Sequence, residues 1–293
     1  MNKIHDIKLC LLFILISGFI YAQSTDLLRL ESIFIPENGN GVETTRYRFL
    51  INVPIKLKNE NFIVTGAEFN RFDFETDNRF SFDTADLDRF YVLDLNLGYI
   101  AKWNEKWRLI TLLTPRLASN FTEGGIVSGD YRINAAAAFL KEVKDVDKPY
   151  RLVLGLSFNS NAGLPFPLPI INYYKRFHPK WSYTLGIPRM DFRYHISKKH
   201  TLQSVFLLDG YFAHIQDDIN FSNGNLGDAI SFSALLVGIE YQFNINKYAS
   251  FYGLVGHSLL HNSVLRDDRR NEVFTFNNEG NTYIRAGFKI GIF

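Results

Sequence analysis

Six histidines lie beyond residue 22: His178, His195, His200, His214, His257 and His261. They are the first place to look for acid–base or metal chemistry. His257 and His261 are four apart, a spacing that chelates a metal when it falls on a helix. On a strand the same spacing puts them roughly 13 Å apart along one face, too far for one ion. Ser258 adjoins His257, as a nucleophile might adjoin its base. Neighbours on a strand point to opposite faces, however, and catalysis needs groups within hydrogen-bond reach. His178 and His200 sit in or beside tight polar turns. The chain contains no nucleophile elbow, zinc-ligand spacing or phosphate loop. The sequence therefore predicts no catalytic residue, no metal site and no cofactor, and the chain reads as a non-enzyme.

Carboxylates cluster in two places. Asp73, Glu75, Asp77, Asp83, Asp86 and Asp88 could bridge lipopolysaccharide through divalent cations or line a pore mouth. A solvated outer loop is the simpler reading. The stretch 216–228 carries Asp217, Asp218 and Asp228 without the ordered spacing of a calcium loop, so the same reading applies.

Most of the charge is patterned instead. In 45–57, Tyr47, Phe49, Ile51, Val53, Ile55 and Leu57 alternate with Arg46, Arg48, Asn52 and Lys56. Successive strand side chains face opposite ways, so the segment has one apolar and one charged face. The pattern recurs around Asp94 and Asn96, Arg151, and Arg285 and Lys289. Segments 61–75 and 229–244 fit only with a phase slip such as a bulge. Taken as one inward surface, the charged faces predict a lumen lined by Arg46, Arg48, Asn52, Asp94, Asn96, Arg132, Asn134, Arg151, Asp191, Arg193, Arg285 and Lys289. Lys56, Arg108, Asp88 and Glu240 are further candidates.

Long and tight links alternate along the chain. Tight ones fall at 58–61, 104–106, 144–149, 178–180, 197–199 and 246–248. Longer ones fall at 37–43, 76–86, 121–129, 161–167, 216–226 and 263–280. Short turns on one side and long loops on the other mark a transmembrane barrel. Trp103, Trp107 and Trp181 all sit at tight turns, as an interfacial aromatic girdle requires. The expected architecture is all-β, an antiparallel transmembrane up-and-down β-barrel of about 14 strands. They run over about 26–36, 44–57, 61–75, 87–102, 106–119, 130–143, 150–161, 168–177, 181–187, 190–197, 200–215, 228–245, 249–262 and 280–293. The short hairpin turning at Pro188-Arg189 is the weak place, and twelve strands is the alternative.

Lys3 and Lys8 precede an apolar run over 9–21 that closes on Tyr21-Ala22-Gln23, which predicts a signal peptide over 1–22 cleaved after Ala22. The single cysteine, Cys10, would leave with it, and the net charge would fall from +2 to +1. So balanced a chain calls for neither nucleic acid nor an anionic surface. Residues 23–293 form one expected domain. Its 15% aromatic content with a mean hydropathy near zero suits a wall that shows rings to lipid and polar groups inward.

Thr44-Thr45-Arg46-Tyr47-Arg48-Phe49-Leu50-Ile51-Asn52-Val53-Pro54, the Leu185-Gly186-Ile187-Pro188 turn and the terminal Phe293 together resemble an uncharacterised outer-membrane β-barrel family of Gram-negative bacteria, classed as a domain of unknown function. The resemblance implies location and fold, not activity. Phe293 departs from the usual terminal signal, because it shares parity with Gly291, Lys289 and Arg285 rather than with the apolar face. The expected function is a passive porin-like channel for small polar solutes. The alternative is a non-conducting structural or surface-interaction barrel. A hydrophobic-compound transporter ranks below both, because the sequence shows neither an N-terminal hatch nor an apolar lumen. Expected partners are outer-membrane lipid, lipopolysaccharide and the barrel-assembly machinery, with the oligomeric state open.

Overall fold

A computed structural model describes residues 26–291 apart from 40, 78, 145, 160–166 and 223. The expected leader over 1–22 and the terminal Phe293 lie outside the described residues. Alternating segments form fifteen strands: β1 (Asp26–Ile35), β2 (Val42–Lys56), β3 (Phe62–Thr76), β4 (Arg89–Lys102), β5 (Trp107–Ser119), β6 (Tyr131–Val143), β7 (Tyr150–Phe158), β8 (Leu168–His178), β9 (Trp181–Ile187), β10 (Arg189–His195), β11 (His200–Asn220), β12 (Leu226–Asn244), β13 (Ala249–Arg266), β14 (Glu272–Asn277) and β15 (Thr282–Gly291). From β1 to β13 each strand pairs antiparallel with the next. β15 pairs with both β13 and β1, which closes the ring. Fourteen strands make the wall, while β14 pairs with the far end of β13 inside the last long link. Twelve strands are excluded, because β9 and β10 pair with each other and with both flanking strands.

The outward face is apolar all round. Tyr47, Phe49, Ile51, Val53 and Ile55 on β2 and Leu93, Leu95, Leu97 and Tyr99 on β4 are each 39–51% exposed. A continuous apolar band of this kind is stable only against lipid, so the barrel is transmembrane. Six tight turns make one rim. Side chains set several of them: Asn104 Oδ1 accepts from the N–H groups of Lys106 and Trp107, and Asn246 Oδ1 from those of Tyr248 and Ala249. Both ends of the ring, Asp26 and Gly291, lie on this rim, as an even strand count requires.

One part of the wall is low. β9 and β10 have seven residues each, fewer than the about 9–11 of a spanning strand. β11, with 21 residues, pairs with β10 only from Thr201 to Leu207, and Leu208 N–H then donates to Pro188 O. Beyond that point one edge of β11 has no neighbour in the wall among the described residues, and unpaired backbone groups must find partners elsewhere. The strand reaches across the lumen. His214 pairs in parallel with Ser119 of β5, Asn120 N–H donates to His214 O at 3.3 Å, and Gln216 N–H donates to Asn120 Oδ1 at 3.0 Å. Both faces of β11 are buried from Tyr211 to Gln216.

This inward arm changes what the wall must present to it. Phe72, Phe74, Phe90 and Val92 face inward and pack with Tyr211, Ala213 and Ile215, and Tyr211 lies 4.3 Å from Phe72 between ring centroids. The apparent phase slip in 61–75 is therefore no bulge. β3 keeps unbroken register with both β2 and β4, and its interior residues change from polar Glu68 and Asn70 to apolar Phe72 and Phe74. The irregularity in 229–244 lies on the partner strand, where Leu259 of β13 is an extra residue opposite Leu235 and Leu236. The expectation of a lumen without an apolar part is corrected for its outer half.

Leu95 sits at the middle of β4 on the lipid face. Leu95→Arg is expected to destabilise the folded barrel by about 2–4 kcal/mol, read as a shift in the denaturant midpoint of the lipid-reconstituted protein.

Candidate functional site: a filled lumen

Below the apolar plug, the interior is a lattice of ion pairs. Glu31 of β1, almost fully buried, faces Arg48 at 3.5 Å and Arg285 at 3.7 Å and accepts a hydrogen bond from the Tyr252 hydroxyl. Arg48 reaches on to Glu68 at 2.8 Å, and Arg116 pairs with Asp94 through two hydrogen bonds. On the opposite wall Glu240 takes Arg189 at 3.1 Å and the Gln203 amide, while Asp191 takes Arg193 at 2.8 Å. Charges this buried persist only because each has a partner of opposite sign or a hydrogen bond.

Asp209 joins the two layers. It lies on β11 where the strand leaves the wall, and it receives Arg46 from β2 at 3.2 Å, Arg285 from β15 at 3.2 Å, and the Tyr283 hydroxyl. The inward arm is thus tied to strands on the far side of the ring. Its other anchor is a 3-10 turn at Ser128–Asp130. Asp130 accepts from His214 Nδ1 at 2.8 Å and from Gln216 Nε2 at 2.8 Å, and His214 Nε2 faces Asp228 at 3.4 Å. Burial pushes the Asp130 carboxyl upward. The N–H of Val127 together with Ser119, His214 and Gln216 outweighs that and holds it below the ordinary carboxylate value.

The residues predicted to line the lumen fall as follows. Arg46, Arg48, Asp94, Asp191, Arg193 and Arg285 belong to the lattice. Asn52 donates to Asp26 O and accepts from Asn96, which also accepts from Thr114. Arg132 lies 4.1 Å from the centre of the Phe212 ring, its Nε buried without a hydrogen bond among the described residues. Arg151 Nε is likewise buried and without one. Asn134 is half-buried on β6, and Lys289 lies 5.3 Å from the Tyr252 ring. Asp88 is exposed just before β4 and takes no part. Sequence reasoning missed Glu31, Glu68, Arg116, Arg189, Gln203 and Asp209. Glu31 and Glu68 share the parity of inward neighbours and were findable that way, whereas the importance of Asp209 depends on where β11 turns. Trp103 is 62% exposed, and Trp107 and Trp181 are half-exposed, all beside tight turns.

The histidines are also rearranged. The extra residue at Leu259 reverses parity, so exposed His257 and buried His261 lie on opposite faces rather than on one. Ser258 Oγ instead lies 3.4 Å from His261 Nδ1. Ser182 Oγ lies 2.9 Å from His195 Nε2, but the second ring nitrogen faces the Thr201 hydroxyl at 3.4 Å where a triad would hold a carboxylate. Both serines are buried.

Residues 36–291 match the model of a family described as a domain of unknown function, DUF6268. The chain belongs to that family. No curated protein matches it. Among solved structures, the NanC porin is 11% identical, with 90% of this chain covering 100% of that one at a TM-score of 0.38. The KdgM porin is 9% identical, with 91% and 99% covered and a TM-score of 0.37. The outer-membrane phospholipase of Salmonella typhi is 8% identical, with 96% and 97% covered and a TM-score of 0.34. Likeness at this level carries nothing about activity.

Removing one partner of a buried pair strands the other charge. Arg116→Leu alone is expected to cost about 3–5 kcal/mol, and adding Asp94→Leu should restore most of it. Chemical denaturation of the three proteins in one lipid system gives the comparison.

Proposed function

We propose that the chain is an outer-membrane channel of porin type for small polar solutes, exported through a cleaved signal peptide, whose resting state is shut by the inward arm of β11. The observation that carries this reading is how the arm is held. One edge of the arm keeps its ladder to β12 as far as His214, while its contact with β5 across the lumen is a single backbone bridge supplemented by side-chain hydrogen bonds. A short, side-chain-dependent junction is the kind of element that moves while the wall stays intact. The lumen-lining set then acts as the polar path beneath it. Arg132 and Arg151 add guanidinium charge beyond the paired lattice, which favours anions over cations. Both Ser–His pairs lack an accessible nucleophile, and this supports a role without catalysis.

A second reading, a non-conducting barrel that binds a surface partner, draws support from the outer loops. Phe80, Phe82, Phe221, Phe274 and Phe276 pack ring on ring there, with centroids 4.9–6.4 Å apart in the contacts Phe82 makes with Phe80, Phe221, Phe274 and Phe276. Loops so braced could present a fixed surface.

Planar-bilayer recording separates the two. Wild-type protein is expected to be mostly closed with rare steps, and Asp209→Ala with His214→Ala should raise the open fraction about tenfold or more, since hydrogen bonds to charged groups contribute about 1.5–3 kcal/mol each. A salt gradient should give a reversal potential on the anion side. Silence from both proteins, with folding verified by heat-modifiable migration, would leave the non-conducting reading standing.

A further inference from the structure

The two rims of the barrel differ sharply in charge. On the tight-turn rim, the segments 56–62, 102–108, 141–150, 175–181, 196–200 and 244–249 hold fourteen Lys or Arg against five Asp or Glu. The long-link segments 36–43, 76–89, 120–130, 217–228 and 267–281 hold fifteen Asp or Glu against four Lys or Arg. The near-neutral total of the chain hides this separation, which only the barrel topology makes visible.

We infer that the tight-turn rim is a binding surface for the headgroups of anionic phospholipids in the leaflet around it. Three observations select lipid over a single macromolecular partner. First, the basic side chains are distributed around the whole ring. Lys58, Lys106, Lys180, Lys199 and Lys247 are exposed on five different turns, and none forms an ion pair among the described residues. A docked protein would meet one side of such a ring, whereas a leaflet meets all of it. Second, the cations are threaded among rings at the edge of the apolar band. Lys247 Nζ lies 4.7 Å from the centre of the Tyr248 ring, and Lys141 Nζ lies 5.7 Å from both Trp107 and Tyr150. Aromatic rings and snorkelling amines together mark headgroup depth. Third, the charge complements a phosphodiester, and basic clusters at a membrane surface are drawn to anionic lipid within about one Debye length.

The inference is independent of whether the barrel conducts. Its test is native mass spectrometry of the full barrel in neutral detergent, titrated in parallel with phosphatidylglycerol and phosphatidylcholine of the same acyl chains. Wild-type protein should retain phosphatidylglycerol about fivefold or more over phosphatidylcholine, and the preference should weaken in high salt. The variant Lys58→Gln, Lys106→Gln, Lys180→Gln, Lys199→Gln, Lys247→Gln should lose most of it, while Asp83→Asn with Asp86→Asn on the other rim should not. Equal retention of the two lipids by the wild type, or an unchanged preference in the five-site variant, overturns the assignment. If that variant does not fold, spin-labelled lipids in bilayers of wild-type protein give the same reading: motional restriction of the anionic label no greater than that of the zwitterionic one refutes it. Polyglutamate displacing the phosphatidylglycerol at equal charge concentration also overturns it, in favour of an acidic macromolecule.

Discussion

The open edge of β11 is the constraint from which much of this barrel follows. β9 and β10 stop at Pro188, and among the described residues a strand of 21 residues is left with a wall neighbour on one side only over its outer half. In contact with lipid, bare N–H and C=O groups cost several kcal/mol each, so that edge cannot stay at the wall. Turning inward solves the problem with the same atoms: His214 and Gln216 bond to β5 and Asn120, and the arm fills the space it enters. The apolar inner residues of β3 and β4, the buried faces of β12 and the anchors on Asp209 all answer to that turn.

The interior therefore has two kinds of filling, each with its own physics. The outer half is packed like the core of a soluble protein, with Phe72, Phe74, Phe90 and Tyr211 in contact. The lower half is bridged by ion pairs from strand to strand, and these brace the wall only as complete sets, since a stranded charge costs more than its pair contributes. Asp209 belongs to both halves. It is the point at which movement of the arm would be felt by the polar lattice below, through Arg46 and Arg285.

Along the barrel axis the molecule is also electrically polar. Tight turns rich in lysine and long links rich in aspartate give the two ends opposite sign, with an apolar belt between them. Aromatic side chains at the tight turns sharpen that boundary, because an indole ring settles where hydrocarbon meets headgroups. Fold, burial and charge thus describe one orientation in the bilayer.

The residues alone determined a good deal. Period-two alternation, the rhythm of short and long links and the placement of Trp103, Trp107 and Trp181 set the barrel and the side on which its ends lie, and left about fourteen strands or twelve until β9 and β10 paired with each other and with both neighbours. These are local patterns, and a strand expresses them whatever surrounds it. Arg46, Arg48, Asp94 and Arg285 could be placed inward for the same reason. The tertiary structure decided everything that depends on what stands across the lumen. That β11 would leave the wall, that Phe72 and Phe74 would face inward without a bulge, and that Asp209 would tie three strands together are consequences of partners 74 to 163 residues away in sequence. The parity of His257 and His261 likewise turned on one extra residue, Leu259, which only strand pairing reveals. Alternation states which two faces a strand has. What each face meets is fixed by closure of the ring.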